Sequence, residues 1–402
     1  MIRIITSIIS NNNWQFSQAI NIICYSLLGF FSMIMAVENK SDHYIWGTLS
    51  IFYVIKFLAF LLVKEQNIKN GKATILFLIS FFQIFFIFYI FTNNYNYIFV
   101  SMIFIFVLQD LIMVNLFNDI KTISKKNQYR EQEVIAVSLI IVIIISAIFK
   151  PLMGFILDEN IKYGLFVLFC FSFLILFFAL FKNSIKISIL ENNIGKTPNI
   201  IYLHCILSFF YNSISFFCSF FILPLFIIEI SNKTNYPIGS FSILGIVLGV
   251  AALLTFSTKS LKISNSKNIT MINYFIGIVC WNLLLLSYYL YNKDIIVNNL
   301  FAILLSIIPF LTVQVTSRLW SAGFLEQISM LSNKEQSEES NIIHKRALSI
   351  FFALKSLGGF FVFFIVFLTH NLFDYYYIIL SISFISIIYG FCYLSYRKKI
   401  DN

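Results

Sequence analysis

The sequence predicts an all-α integral membrane protein, with twelve transmembrane helices in two six-helix bundles. Three observations predict it. Of the 402 residues, 59% are hydrophobic and 18% aromatic against 11% charged, an apolar excess that no soluble globular fold buries. The apolar residues gather in twelve stretches, each long enough to cross the hydrocarbon core as a helix. Nearly all lysine and arginine falls in the short polar loops between them.

Residues 1–18 hold Arg3, three successive asparagines at 11–13 and no cleavage-site pattern. They read as a short cytoplasmic lead-in with an interfacial turn and no removable signal peptide. Apolar cores follow at 19–37, 44–63, 73–92, 97–118, 134–157 and 163–181. The polar stretch KNSIKISILENNIGKTPN then leads to six further cores at 201–229, 237–256, 270–291, 298–331, 347–368 and 375–395. The tenth exceeds one straight span and carries Pro309, a residue that kinks helices. The division is therefore 1–181 as an N-terminal six-helix bundle, 182–200 as a cytoplasmic linker and 201–402 as a C-terminal six-helix bundle.

Charge sets the orientation. With both termini cytoplasmic, Arg3, the five cytoplasmic loops and the tail hold 20 of the 28 basic residues. The opposite face holds four, Lys40, Lys162, Lys233 and Lys293. Such asymmetry in short loops satisfies the positive-inside rule. The remaining four, Lys56, Lys150, Arg318 and Lys355, lie within apolar segments. The net charge of +10 thus describes topology and contact with anionic lipid, with no nucleic-acid partner. The six cysteines all lie within the helices and show no CxxC or metal spacing, so no disulfide framework, metal or cofactor is expected. Nucleotide-binding motifs are absent, and any driving energy comes from an ion or solute gradient. An intramembrane enzyme is disfavoured, because His43, His204, His344 and His370 are scattered and no second carboxylate shares the depth of Asp110.

Asp110 is the carboxylate placed clearly within the apolar zone, two-thirds of the way through the fourth helix. A charge at bilayer depth costs a few kcal/mol, so it faces a partner or a water-filled cavity. Lys56 lies at similar depth in the second helix. Two readings stand side by side: a static pair that locks two helices, or a carboxylate that binds and releases a proton. Lys150 beside Pro151 reads as snorkelling to the interface. Arg318 sits in a polar run with Thr312, Gln314, Thr316 and Ser317, which suits a cavity for an anionic or sugar-like solute or an interfacial position. On the seventh helix His204, Ser208, Tyr211, Ser215 and Ser219 share one face, directed either to a central cavity, which is favoured, or to helix–helix hydrogen bonds. The run GIVLG (Gly245 to Gly249) marks close helix packing within its bundle.

Six plus six helices joined by a cytoplasmic linker is the layout of the major facilitator superfamily, whose site lies midway between the halves. The segments LLGFFSMIMAVEN and LSIFYVIKFLAFLL, the pair Gln109-Asp110, the run LPLFIIEISNKTNYPIG, and MLSNKEQ, ALSIFFALKSLGG and FDYYYIILSISF resemble, in order, motifs of the AmpG-type muropeptide permeases. The chain departs from that pattern at Val114, Val142-Ile143, the stretch Tyr211 to Ser215 and Gly359, where the family carries charged residues. The resemblance implies a secondary transporter of the bacterial inner membrane. It would import anhydro-amino-sugar peptides as a monomer in the lipid bilayer, with proton coupling through Asp110. The solute-binding or coupling candidates, read from the residues themselves, are Lys56, Gln109, Asp110, Asn115, Tyr211, Asn212, Ser215 and Arg318. Alternatives are a different small anionic or peptide-like solute, or a non-transporting membrane scaffold.

Reporter fusions at 93–97 and 231–236 are expected on the outside, and those at 119–131 and 182–198 on the inside. A reversed sign at any of them would break the six-plus-six topology.

Overall fold

The computed structural model describes residue 6 and residues 12–38, 40–63, 71–127, 147–181, 199–234, 239–257, 267–296, 298–332, 337–370, 372 and 374–401, some of them by backbone alone. Regular structure among the described residues is helical throughout, and none of it is strand. The helices are α1 (Asn12–Val37), α2 (Asp42–Val63), α3 (Gly71–Thr92), α4 (Asn96–Asn127), α5 (147–159) and α6 (Ile161–Phe181). After the linker, α7 runs through Asn199–Phe217, a π-helical turn at Cys218–Ile222, and Leu223–Thr234. It is followed by α8 (Ser240–Ser257), α9 (Lys267–Asn292), α10 (Asn299–Ser332), α11 (Ser337–Thr369) and α12 (Tyr375–Asp401).

Helices dominate because a chain this apolar must satisfy its main-chain polar groups internally where no water reaches them. Among the described residues, five stretches are long and apolar enough to cross a membrane: Ala73–Thr92, Asn199–Asn232, Thr270–Asn292, Arg346–Thr369 and Tyr375–Arg397. Shorter apolar stretches lie in α1, α4, α6, α8 and α10. Much of the fifth expected core, 134–146, lies outside the described residues, as does the linker before residue 199. Large side chains line the outside of the helices, with Phe91 82% and Phe384 66% exposed. Such a surface suits lipid and not water. One expectation changes at the start of the chain. Residues 12–18 form the first turns of α1, where Trp14, Ser17 and Gln18 are buried by packing.

The helices before the linker pack as α3 on α4 and α6, and α1 on α4 and α6. Those after it pack as α9 on α10 and α12, α8 on α10, and α7 on α11 and α12. The two sets meet where α2 crosses α11 and where α1 crosses α7. They also meet where α5 crosses α8. There a Cβ on Gly245 would lie 2.5 Å from Lys150 O, and one on Gly249 would lie 3.0 Å from Ala147 O. The GIVLG run therefore packs against a helix from the other side of the linker, and not within its own set as its sequence suggested. Small residues let two backbones touch, and the neighbour they touch is set by the fold.

One end of the assembly, the hairpin pole, collects the turns near residues 40, 94, 160, 294 and 372. Tyr95 Oη donates to Glu38 Oε1 at 2.5 Å there, and Tyr44 bonds Asn96. The opposite end, the tail pole, holds the C-terminal turns of α12. Five helices that begin at the hairpin pole are capped from their own turns. Ser41 Oγ accepts from Tyr44 N, and Asn94 Oδ1 from Asn96 N. Asn160 Oδ1 accepts from Lys162 N, Asn298 Oδ1 from Phe301 N, and Asp374 Oδ1 from Tyr376 N. Each satisfies a first-turn amide that has no partner inside its helix.

Two helix-interior prolines leave carbonyls to be served by neighbours. Pro309 lies within α10, which continues through it, and the carbonyl four residues earlier, Leu305 O, lies 3.0 Å from Ser287 Oγ of α9, whose hydroxyl is shared with Leu283 O of its own helix at 2.7 Å. Pro224 leaves Phe220 O, inside the π-helical turn of α7, which accepts from Ser32 Oγ of α1. Proline removes the amide that would serve such a carbonyl. Ser287→Ala is expected to lower stability in detergent by about 1 kcal/mol, read as earlier thermal unfolding. Adding Pro309→Ala, which returns an amide to Leu305 O, should recover part of the loss; an undiminished cost in that background would show that Ser287 serves another group.

Candidate functional site

Lys56 and Asp110 meet. Lys56 Nζ of α2 lies 2.8 Å from Asp110 Oδ2 of α4, and both residues are 9% exposed. The ammonium also sits 5.1 Å from the Phe106 ring centroid and 5.5 Å from that of Phe52, so its apolar surroundings are aromatic faces. α1 closes a third side, where Cys24 Sγ approaches Ile105 O one turn before the carboxylate. Gln109 is buried next to Asp110 in sequence. A buried ion pair of this kind is held in place by the cost of separating its charges in a poor dielectric.

Toward the hairpin pole the pair is covered by rings. Tyr53, one turn from Lys56, stacks on Phe216 of α7 at 4.9 Å and on Phe363 of α11 at 5.9 Å. Gly359 leaves the room for the Tyr53 ring, since a Cβ there would lie 2.7 Å from it. Further out, His43 stacks on Phe367 at 4.0 Å and lies tilted against His370 at 4.2 Å, and Trp46 meets Phe221 edge-on at 5.4 Å. These rings belong to α2 on one side and to α7 and α11 on the other. The hairpin-pole end of that seam is therefore shut. Lys355 of α11 lies over Phe216 at 5.6 Å, which adds a second cation to the same region of the seam.

The remaining sequence candidates scatter. Tyr211 is buried, stacked on Trp320 of α10 at 4.5 Å, with Gly277 of α9 beneath its ring. Asn212 Nδ2 donates to Ser208 O at 2.7 Å and Ser208 Oγ at 2.9 Å within α7. Ser215 is half-buried. Asn115 and Arg318 have their backbones in α4 and α10, and their side chains lie outside the described residues. His204, which its position suggested could be interfacial, is fully buried. Its Nδ1 lies 2.7 Å from Tyr393 Oη, and its ring stacks on Phe324 at 3.9 Å. Arg397 continues the chain of contacts, with Nη1 donating to Tyr393 Oη at 3.0 Å and to Gln327 Oε1 at 2.5 Å. At His204 and Tyr211 the polar face of the seventh helix turns to α9, α10 and α12, not to the seam. Arg397, the His43–His370 contact and Asp158, which bonds α8, were not singled out from sequence.

A cleft among the described residues lies at the hairpin pole, with a volume of about 500 Å³. Glu38, Tyr95, Asp158 and Lys162 line it from the helices before the linker, and Ser231 and Phe241 from those after it.

No family model and no curated protein matches the chain. Solved structures do, and the likeness is one of fold: the helical architecture resembles that of major-facilitator-type membrane transporters. The crystal structure of the nucleoside transporter NupG is 14% identical, covering 96% of this chain and 98% of its own, with a TM-score of 0.56. Two crystal structures of a POT family transporter, with 5-aminolevulinic acid and with a thioalcohol-conjugated peptide, are 12% identical. They cover 99% of this chain and 96% of theirs, with a TM-score of 0.63. These neighbours are transporters and not enzymes.

Replacing either charge alone, Lys56→Met or Asp110→Asn, is expected to cost about 3–5 kcal/mol of folding stability through the unpaired survivor. The double replacement should cost less than the sum, with a coupling of about 1–3 kcal/mol in a denaturation cycle. Strict additivity would show that the contact carries no energy.

Proposed function

We propose that this protein is a secondary transporter of the inner membrane. Its two six-helix bundles, 1–181 and 201–402, enclose a solute path, with the hairpin pole outside and both termini cytoplasmic. The observation that carries the reading is the buried Lys56–Asp110 pair in a major-facilitator-type fold, beneath a seam shut by aromatic rings. Ionisable groups at this depth mark substrate or ion pathways in membrane proteins. A carboxylate that exchanges a lysine partner for a proton is a means of coupling solute movement to a proton gradient.

The proposed solute is muropeptide-like, imported toward the cytoplasm. Support comes from the collinear resemblance to AmpG-type permeases and from the chemistry of the candidate side chains. The amides of Gln109, Asn115 and Asn212 and the hydroxyl of Ser215 match the hydroxyls and amides of an amino-sugar peptide. Lys56 and Arg318 match its carboxylates. A second reading, a different small anionic or peptide-like solute, is favoured by the POT family structures, whose ligands are 5-aminolevulinic acid and a conjugated peptide.

Uptake of radiolabelled anhydro-muropeptides into cells lacking their own permease tests the first reading. Expression should restore uptake, and Asp110→Asn should return it to background. Uptake indifferent to Asp110→Asn yet abolished by an uncoupler would move the coupling site elsewhere. Transport in liposomes of another solute, and of no muropeptide, would overturn the substrate and leave the transporter standing. No transport of any kind would favour a scaffold.

A further inference from the structure

We infer that Asp158 is a latch across the linker's two sides, holding the hairpin-pole mouth shut by capping a helix that belongs to the opposite set. Its Oδ1 accepts from Phe241 N at 3.0 Å and its Oδ2 from Ser242 N at 2.7 Å. These are the second and third residues of α8, whose amides a helix's own capping side chain would serve. The five other helices that start at this pole carry such a side chain in their own turns. α8 has Gly239 at that position, and the carboxylate of α5 occupies the space its side chain would fill, since a Cβ on Gly239 would overlap Asp158. The seat is built for a residue from across the seam.

Opening this mouth parts α5 from α8. It strips the two charge-assisted bonds and leaves the positive end of α8 without its anion. The α5–α8 crossing below the latch is close-packed through Gly154, Gly245 and Gly249, so the two helices separate as rigid faces. The cleft beside the latch, with Glu38 bonded to Tyr95 on its wall, is the closed entrance. The other seam is held by the His43–Phe367–His370 cluster, which has no bond to Asp158. A latch therefore predicts a coupled release at a distance, and a mere helix cap does not.

The inference rests on the reading of the chain as a two-bundle transporter. Its readouts need no solute, so its failure is separate from failure of the substrate assignment. In purified full-length protein in lipid nanodiscs, with native cysteines replaced, spin labels at Asn94 and Lys293 report the separation of the two sets at the hairpin pole. Hydrogen exchange of the α8 first turn reports the cap. For Asp158→Asn we expect exchange at Phe241 and Ser242 about tenfold faster or more, the ratio for about 1.4 kcal/mol, together with a new longer-distance population. Asp158→Glu should retain most of the parent distribution. Faster exchange with an unchanged distance distribution would reduce Asp158 to a cap and overturn the latch, as would unchanged exchange. If Asp158→Asn fails to fold, Gly239→Ala displaces the same carboxylate with its charge intact, and the same two outcomes decide.

Discussion

A chain this apolar places its helices where water does not reach, and the fate of each main-chain carbonyl and amide then decides where helices bend, end and touch. An unpaired polar group costs more in hydrocarbon than in water. The fold answers with side chains borrowed from neighbours. Ser287 serves the carbonyl left by Pro309, and Ser32 the one left by Pro224. Asp158 serves the amides at the start of α8. Two of these three interactions join helices before the linker to helices after it. At two of the crossings between the sets, then, one set completes the backbone of the other.

The second constraint is space. α5 and α8 approach to backbone contact because glycines face carbonyls, and α2 approaches α11 because Gly359 admits the Tyr53 ring. Small residues decide the crossings, and aromatic rings fill what remains. The buried charges fit between these layers, with Lys56 walled by Phe52 and Phe106 before it reaches Asp110. Solved transporters of 12–14% identity share the architecture, so the fold persists while most residues differ. What such likeness does not carry across is the lining of a solute site.

Much of the helical layout was legible in the sequence, because apolar length is a one-dimensional signal. The cores at 44–63 and 163–181 fall within α2 and α6, and the depth of Lys56 and Asp110 along their helices sufficed to suggest their meeting. Periodicity was less informative. It grouped His204 with Tyr211 on one face of α7, yet gave no way to know that the face would meet α10 and α12. It located the GIVLG contact and mistook the partner. Asp158 left one faint signal: Gly239 stands at the start of α8, where the other hairpin-pole helices place Ser, Asn or Asp. Its remedy lay some eighty residues upstream, beyond the reach of local reading. The side chains of Asn115 and Arg318 add nothing to the geometry, since they lie outside the described residues.

The interrupted course of α7 has a mechanical consequence. Its tail-pole half is fastened to α10 and α12 through His204, and its hairpin-pole half, Leu223–Thr234, packs on α1. Between them lies the π-helical turn Cys218–Ile222, followed at once by Pro224, where fewer regular bonds resist bending. α7 is a jointed lever with one arm clamped and the other hooked to a neighbour. Displacing α1 swings the hooked arm about the joint, while the clamped arm, with Tyr211 wedged against Trp320, keeps its place.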